Sequence, residues 1–484
     1  MNPVLIGSII TAYFLMLIGV SYLTGRKSDN ATFFLGNRKS PWYVVAIGMI
    51  GASLSGVTFV SVPGMVGASS FTYMQMVLGF LLGYVVIANV LLPLFYRMNL
   101  TSIYGYLEHR FGVVSYKTGA LLFFVSKLIG AAARLYLMAS VLQLTLFDAL
   151  HVPFGVTVTV TIALIWAYTF RGGMKTIIWT DMLQAILMIA AVVLTFVLMM
   201  NDMGWSMADA IGTISESSFS KVFVFDDWSS TQNFWKQFFS GAFITIVMTG
   251  LDQDMMQKNL TCRSLSESKK NMYWYSFAFV PVNLIFLGLG SLLLIYASHH
   301  GIALPERADE IFPKLATGGF LPASVGILFM LGLVAAAYSS ADSAMAALTT
   351  SFSIDILGIE KRDERDAVRI RRWVHVGIAV LMGLLIVALR VLHLDTIINT
   401  IYTIAGYTYG PLLGLFAFGL TCRVKPRDYL VPLAAIVPPV LVAIIDWNSQ
   451  AWWGVKLGYE KLMLNGLLVY LLLWLLSVGH PQKR

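Results

Sequence analysis

The run Ala336-Ala337-Tyr338-Ser339-Ser340-Ala341-Asp342-Ser343 sets three serine hydroxyls and a carboxylate inside an otherwise apolar block. At helical spacing Ala336, Ser339, Ser340 and Ser343 share one face, and Asp342 sits at its edge, one turn beyond Ser339. Such a stripe supplies hard oxygen ligands suited to a small cation. Serines alone also act as hydrogen-bond glue between membrane helices. The carboxylate changes the balance, because an intramembrane Asp costs roughly 2.5–3.5 kcal/mol on insertion scales and is functional by default. A second carboxylate, Asp181, lies several residues inside another apolar block, which favours a site over a helix N-cap, the other role open to it. Asp252 and Asp254 end a further block beside Lys258, where a structural or gating ion pair close to a membrane surface is expected. Arg134 is a cation within a block, placed either to meet a substrate anion or to partner a carbonyl or carboxylate of the fold.

Two interrupted segments would position these groups. Gly51-Ala52-Ser53-Leu54-Ser55-Gly56-Val57-Thr58, followed by Pro63-Gly64, breaks one block with small and hydroxyl residues. Buried backbone at membrane depth needs its polar groups satisfied, so a broken helix belongs where it lines a cavity or binds something. Close packing through small residues is the alternative reading. The segment from Ser240 to Gln257 carries Gly241 and Gly250 and ends in Asp252-Gln253-Asp254. In a chain of two inverted five-helix repeats the two interruptions correspond, the arrangement that brackets a midplane binding site in transporters.

The rest of the chain supplies the frame. Of its 484 residues, 58% are hydrophobic and 12% charged, against roughly a quarter charged in soluble proteins, which excludes an ordinary soluble domain. Charge-poor blocks near the roughly 20 residues of a helical span recur thirteen times. The expectation is an all-α membrane protein, residues 1–484 forming a single transporter domain: an extra first helix at 3–24, a first inverted repeat at 42–200, a second at 237–420, and two C-terminal helices at 429–479. No stretch is left over for a separate soluble domain. The first block has no basic leader region and is followed by Arg26 and Lys27, so it reads as a span and not as a signal peptide. With the N-terminus outside and the C-terminus cytoplasmic, 24 of the 33 Lys and Arg fall on the cytoplasmic side, Lys258, Lys483 and Arg484 among them. That bias matches the positive-inside rule for a multi-pass protein of a plasma or inner membrane. The long outside connections, 201–236 and 299–320, offer Trp228, Trp235 and Pro313 as packing or interfacial anchors and suit either a gate or a plain solvated cap.

The net charge of +8 is spread over short loops, so no nucleic-acid surface is expected. Cys262 and Cys422 read as reduced thiols, and there is no HExxH, GxSxG or Cys/His arrangement, so no enzyme activity and no metal other than the small cation of the serine stripe are expected. A membrane sensor is the weaker alternative, since such modules carry a kinase extension and the sequence continues only a few residues past its last block.

Four stretches in order resemble the sodium/solute symporter family over nearly the whole chain: Leu54-Ser55-Gly56-Val57-Thr58-Phe59 with Pro63; Gly172-Gly173 with Trp179-Thr180-Asp181 and Gln184; Asp252-Gln253-Asp254 with Gln257; and Ser339-Ser340-Ala341-Asp342-Ser343. The nearest motif likeness is to sialic-acid and organic-anion members. The resemblance implies a five-plus-five inverted-repeat core with one helix before and two after, alternating access, and sodium-coupled uptake of a small polar solute by a monomer. It implies a principal sodium site from the carbonyls of Gly51, Leu54 and Ala336 and the hydroxyls of Ser339 and Ser340. It also implies a second sodium site at Asp181, Ser339, Asp342 and Ser343, with Asp342 standing where sialic-acid members have a serine. Two carboxylates there suit a tightly held cation or a proton, so a proton-coupled symporter using Asp342 and Asp181 is the alternative function. The same likeness implies substrate contacts from Ser53, Ser55, Thr58, Gln75 and Arg134. An ungapped comparison puts the relatives' arginine at Gly130, one turn from Arg134, and their glutamine two residues from Gln75. Sialic acid, another organic acid and a neutral sugar or polyol stay open as the solute. Each sodium ion moving down a membrane potential releases roughly 2.3 kcal/mol per 100 mV, the driving force such coupling uses.

Overall fold

The computed structural model describes residues 3–24, 29–390 and 397–477; Arg26, Lys27, Lys483 and Arg484, counted above for orientation, lie outside them. Helix α1 (Pro3–Thr24) precedes α2 (Trp42–Ser53), α3 (Gly56–Ser69), α4 (Tyr73–Val86), α5 (Val113–Leu142), α6 (Phe154–Gly172) and α7 (Met174–Asp202). Then come α8 (Phe234–Thr245), α9 (Gln253–Leu260), α10 (Leu265–His299), α11 (Ala323–Ser351), α12 (Glu364–Leu389), α13 (Ile397–Thr408) and α14 (Gly410–Thr421). Helices α15 (Val431–Trp453) and α16 (Lys461–Ser477) follow. Among the described residues every regular element is a helix, and the bridge between Ser40 and Cys262 is isolated.

A helix lies in each of the thirteen expected stretches. Eight described segments are long and apolar enough to cross a membrane by themselves, or nine if α13 and α14, bent by 41°, form one span. The shortfall has local causes. Residues Gly56–Arg97 run as one apolar segment, although Ser70, at φ 53°, turns the chain between α3 and α4. The helices α2 and α16 are short, and α8 and α9 are parted by Leu251 and Asp252.

Glycines let the central helices touch. A Cβ on Gly79 of α4 would meet the Phe238 carbonyl oxygen at 2.0 Å, and one on Gly241 of α8 would meet that of Met76 at 2.2 Å, so any side chain there would part the pair. Helix α7 packs along both α2 and α11. From Gly332 to Ser351 every residue of α11 is buried, the environment of a helix surrounded by others and not by lipid. Outside the membrane-spanning part, Met207–Glu216 is a short helix with a Ser206–Asp209 capping box, and Pro313 lies in the helix Ile311–Thr317. Trp228 stands exposed, and Trp235, half-exposed, packs by stacking on Phe239. Both cysteines are unpaired thiols, and burial pushes the Cys262 thiol up to about 12.

Candidate functional site

The first interruption falls at Leu54 (φ −80°, ψ 68°) and Ser55 (φ −63°, ψ 170°). The last helical bond of α2 runs from Leu54 N to Ile50 O at 2.9 Å, and the next resumes with Phe59 N on Ser55 O at 3.0 Å. Among the described residues the carbonyls of Gly51 to Leu54 therefore receive no backbone N–H, and the first turn of α3 has no side-chain cap. Close packing is present too: a Cβ on Gly51 would lie 2.8 Å from that of Ala185 in α7. The small residues thus serve both readings, contact with α7 on one side and open backbone on the other.

Helix α11 faces this break. Ser340 Oγ lies 3.3 Å from the Ala52 carbonyl across the interface and 3.2 Å from the Ala336 carbonyl in its own helix, within reach of one proton. Ser339 Oγ donates to Asp181 Oδ1 in α7 at 2.6 Å, which leaves its own lone pairs free. Ser343 Oγ donates to the Ser339 carbonyl at 2.7 Å. Asp342 accepts from Tyr168 Oη at 2.8 Å and from the Ser343 amide at 2.5 Å. Ser339, Asp181, Asp342 and Ser343 are wholly buried, and Ser340 nearly so. None faces lipid, and Asp181, the eighth residue of α7, is no cap.

A cavity of about 120 Å³ opens beside the break. Ser53, Ser55, Thr58, Gly130, Arg134 and Ser340 line it. Arg134 is half-buried and makes no hydrogen bond or ion pair among the described residues. A Cβ on Gly130, one turn away, would meet nothing within 4 Å. Ser53 Oγ lies 2.6 Å from Tyr275 Oη, which in turn accepts from Tyr84 Oη at 2.8 Å. Gln75 departs from the substrate expectation. Its amide donates to the Gln232 and Thr72 carbonyls at 2.9 and 3.2 Å and accepts from Val224 N at 3.0 Å. With every polar atom spent on backbone it clamps the outer loop to α4 and does not face the cavity.

The second interruption is filled. Asp252 caps α9, accepting from Asp254 N at 2.9 Å and Met255 N at 3.3 Å, and it also accepts from Tyr409 Oη at 2.6 Å. Lys127 of α5 lies 3.2 Å from Asp252 and 2.7 Å from Asp254. Lys258 lies 2.8 Å from Asp181 and 3.8 Å from Asp254. These groups are 1–7% exposed or fully enclosed, so Asp252 and Asp254 lie inside the protein, and Lys258 is a helix residue and not a loop residue. The expected ion pair of Asp254 with Lys258 is present, while Lys127, Tyr168 and Tyr409 are site residues that the sequence reading missed. The i,i+4 spacing of Asp254 and Lys258 was the one signal, and it reads equally as an exposed helical pair. Gln253 and Gln257 are clamps: Gln253 pairs with Thr101 O (2.8 Å) and Ile103 N (2.9 Å), Gln257 with Phe34 O (2.6 Å) and Thr350 Oγ1 (3.0 Å).

Comparison with known proteins agrees with this architecture. The model of the sodium:solute symporter family matches residues 33–425. The sodium/sialic acid symporter of Aliivibrio fischeri is 26% identical over 450 residues, covering 88% of this chain and 85% of that protein. The human sodium-coupled monocarboxylate transporter 1 is 26% identical over 473 residues, covering 90% of this chain and 71% of that one. The solved structure of a Na+-coupled sialic acid symporter in a substrate-bound outward-open state superposes with a TM-score of 0.84 at 21% identity, over 99% of this chain and 98% of that one, and so shares the fold. With the family model spanning most of the sequence and both broken helices in place, the chain belongs to the sodium:solute symporter family.

Proposed function

We propose that this protein carries a small carboxylate-bearing solute into the cell together with sodium, by alternating access, with its N-terminus outside and its C-terminus in the cytoplasm. The observation that carries the substrate class is Arg134. A half-buried guanidinium that makes no hydrogen bond or short ion pair among the described residues, and acts on Asp254 only through space, lines the cavity beside Ser55 and Thr58. Burying a cation is costly unless an anion completes it, and guanidinium and carboxylate match as a two-pronged pair. The uncapped first turn of α3 adds N–H groups and the positive end of a helix dipole on the same side. Gly130 leaves room one turn along α5, so the pocket suits an organic acid seated differently from the ligand of the sialic-acid relatives.

For sodium, the carbonyls of Gly51, Leu54 and Ala336 with the hydroxyls of Ser339 and Ser340 form the donor set. The unused carbonyls at the break and the lone pairs left on both hydroxyls fit a cation that sheds its water for neutral oxygens. Cavity and donor set lie within one chain, so a monomer suffices. A proton-coupled symporter is the second reading, favoured by Asp342, a buried carboxylate with no cationic group within ion-pair distance among the described residues.

The substrate reading is tested by thermal shift of the purified protein with lactate, pyruvate, sialic acid, glucose and mannitol, each with and without sodium. An acid is expected to stabilise only with sodium present, and Arg134→Gln to abolish that shift. Stabilisation by glucose or mannitol alone, unaffected by Arg134→Gln, would contradict it.

A further inference from the structure

The second cation position implied by family likeness has its charge supplied from within the chain. Asp181 spends Oδ1 on the Ser339 hydroxyl at 2.6 Å, and its Oδ2 faces the Lys258 ammonium at 2.8 Å. Ser343 gives its hydroxyl proton to the Ser339 carbonyl, and Asp342 is held by Tyr168 and the Ser343 amide. Each carboxylate oxygen of the set thus has a protein partner already, and the positive charge among them is Lys258, which is 1% exposed. Lys258 Nζ lies 2.8 Å from Asp181 Oδ2 and 3.8 Å from Asp254 Oδ1, so the ammonium is held between the two carboxylates. A free sodium ion at Asp181 would stand directly against that ammonium, 2.8 Å from the same carboxylate. The residues present therefore do not fit a second sodium while Lys258 is there.

We propose that Lys258 is a tethered second cation, so that this transporter binds one sodium ion, at Gly51, Leu54, Ala336, Ser339 and Ser340, and not two. This rests on the sodium coupling proposed above but predicts something it does not, the number of ions. The ammonium sits on α9, the inner half of the second broken helix, and reaches Asp181 on α7, which packs on α2 of the first. A tethered charge stays with the protein, so it ties the two broken helices together without moving down a gradient.

The test uses sodium alone. Purified full-length protein is titrated with sodium at constant ionic strength, with choline as the replacement, and binding is read by calorimetry and by the unfolding midpoint. Wild type is expected to bind one sodium per chain with a Hill coefficient near 1. Lys258→Met is expected to unfold at lower temperature in choline, to recover in sodium, and to bind two sodium ions with a Hill coefficient approaching 2. Lys258→Arg, which keeps the charge, should stay at one. If Lys258→Met does not fold, wild type against Lys258→Arg and Asp181→Asn still decides, since all three should bind one sodium. Two sodium ions on wild type, or one on a folded Lys258→Met, would overturn the proposal. Wild type that binds none would count against sodium coupling itself, and gain of a site in Lys258→Met would then still support the tethered cation.

Discussion

The two broken helices make an internal comparison. At the first break, between α2 and α3, the backbone is left open: carbonyls of Gly51 to Leu54 lack amide partners, α3 is uncapped, and the facing groups are serine hydroxyls and an empty stretch of cavity wall. At the second, between α8 and α9, the same kind of interruption is closed by side chains: Asp252 caps α9, and Lys127, Lys258 and Tyr409 satisfy the carboxylates. Buried polar groups must be satisfied somewhere. Where the chain satisfies its own break it builds a strut; where it does not, open backbone faces the cavity. Both breaks line the same cavity, the first with open backbone and the second with carboxylates that the chain already holds.

Three substitutions break or sharpen that contrast. Lys127→Met should have the largest effect, leaving Asp252 and Asp254 buried without their nearest cation. Removing one partner of a buried pair costs about 3–5 kcal/mol, read as a large fall in unfolding midpoint whether or not sodium is present. An unchanged midpoint would remove the strut from the account. Ser340→Ala, at the open break, should do the reverse. Stability in choline stays near wild type, while the sodium concentration for half-maximal uptake rises about tenfold, equivalent to ~1.4 kcal/mol. If sodium dependence does not move, Ser340 is packing alone. Smallest is Thr58→Val, which removes one hydroxyl from the cavity wall. Apparent substrate affinity should weaken about fivefold, the worth of one hydrogen bond at ~1 kcal/mol, with sodium dependence retained; a change in sodium dependence instead would place Thr58 with the ion.

Much of this was legible in the sequence because membrane burial makes polar residues conspicuous. Ser339, Ser340, Asp342 and Asp181 announce themselves against apolar surroundings, and the structure brings Ser339 to Asp181 and Ser340 to the first break. The glycine and serine run around Leu54 marks the break itself, since such residues make a poor continuous helix. What was not legible is depth and direction at the second break. Asp252, Asp254 and Lys258 follow an interrupted block, so their sequence pattern is that of a span ending at a surface, and only the fold of α9 back into the core turns them inward. Gln75 misleads for the opposite reason. A glutamine two residues from a substrate position points elsewhere on a helix, where it found loop carbonyls to hold. Tyr168 and Tyr409 carry no signal at all, because a tyrosine in an apolar block also suits a packing or interfacial position.

The central claim is that the open break is completed by sodium. Uptake of a labelled carboxylate that stabilises the protein is measured in proteoliposomes at fixed external pH, once with an inward sodium gradient and once with choline and an inward proton gradient of equal size. Accumulation above equilibrium with sodium and none with choline is the result expected. Undiminished accumulation in choline, driven by protons, would contradict it and make Asp342 and Asp181 the coupling groups.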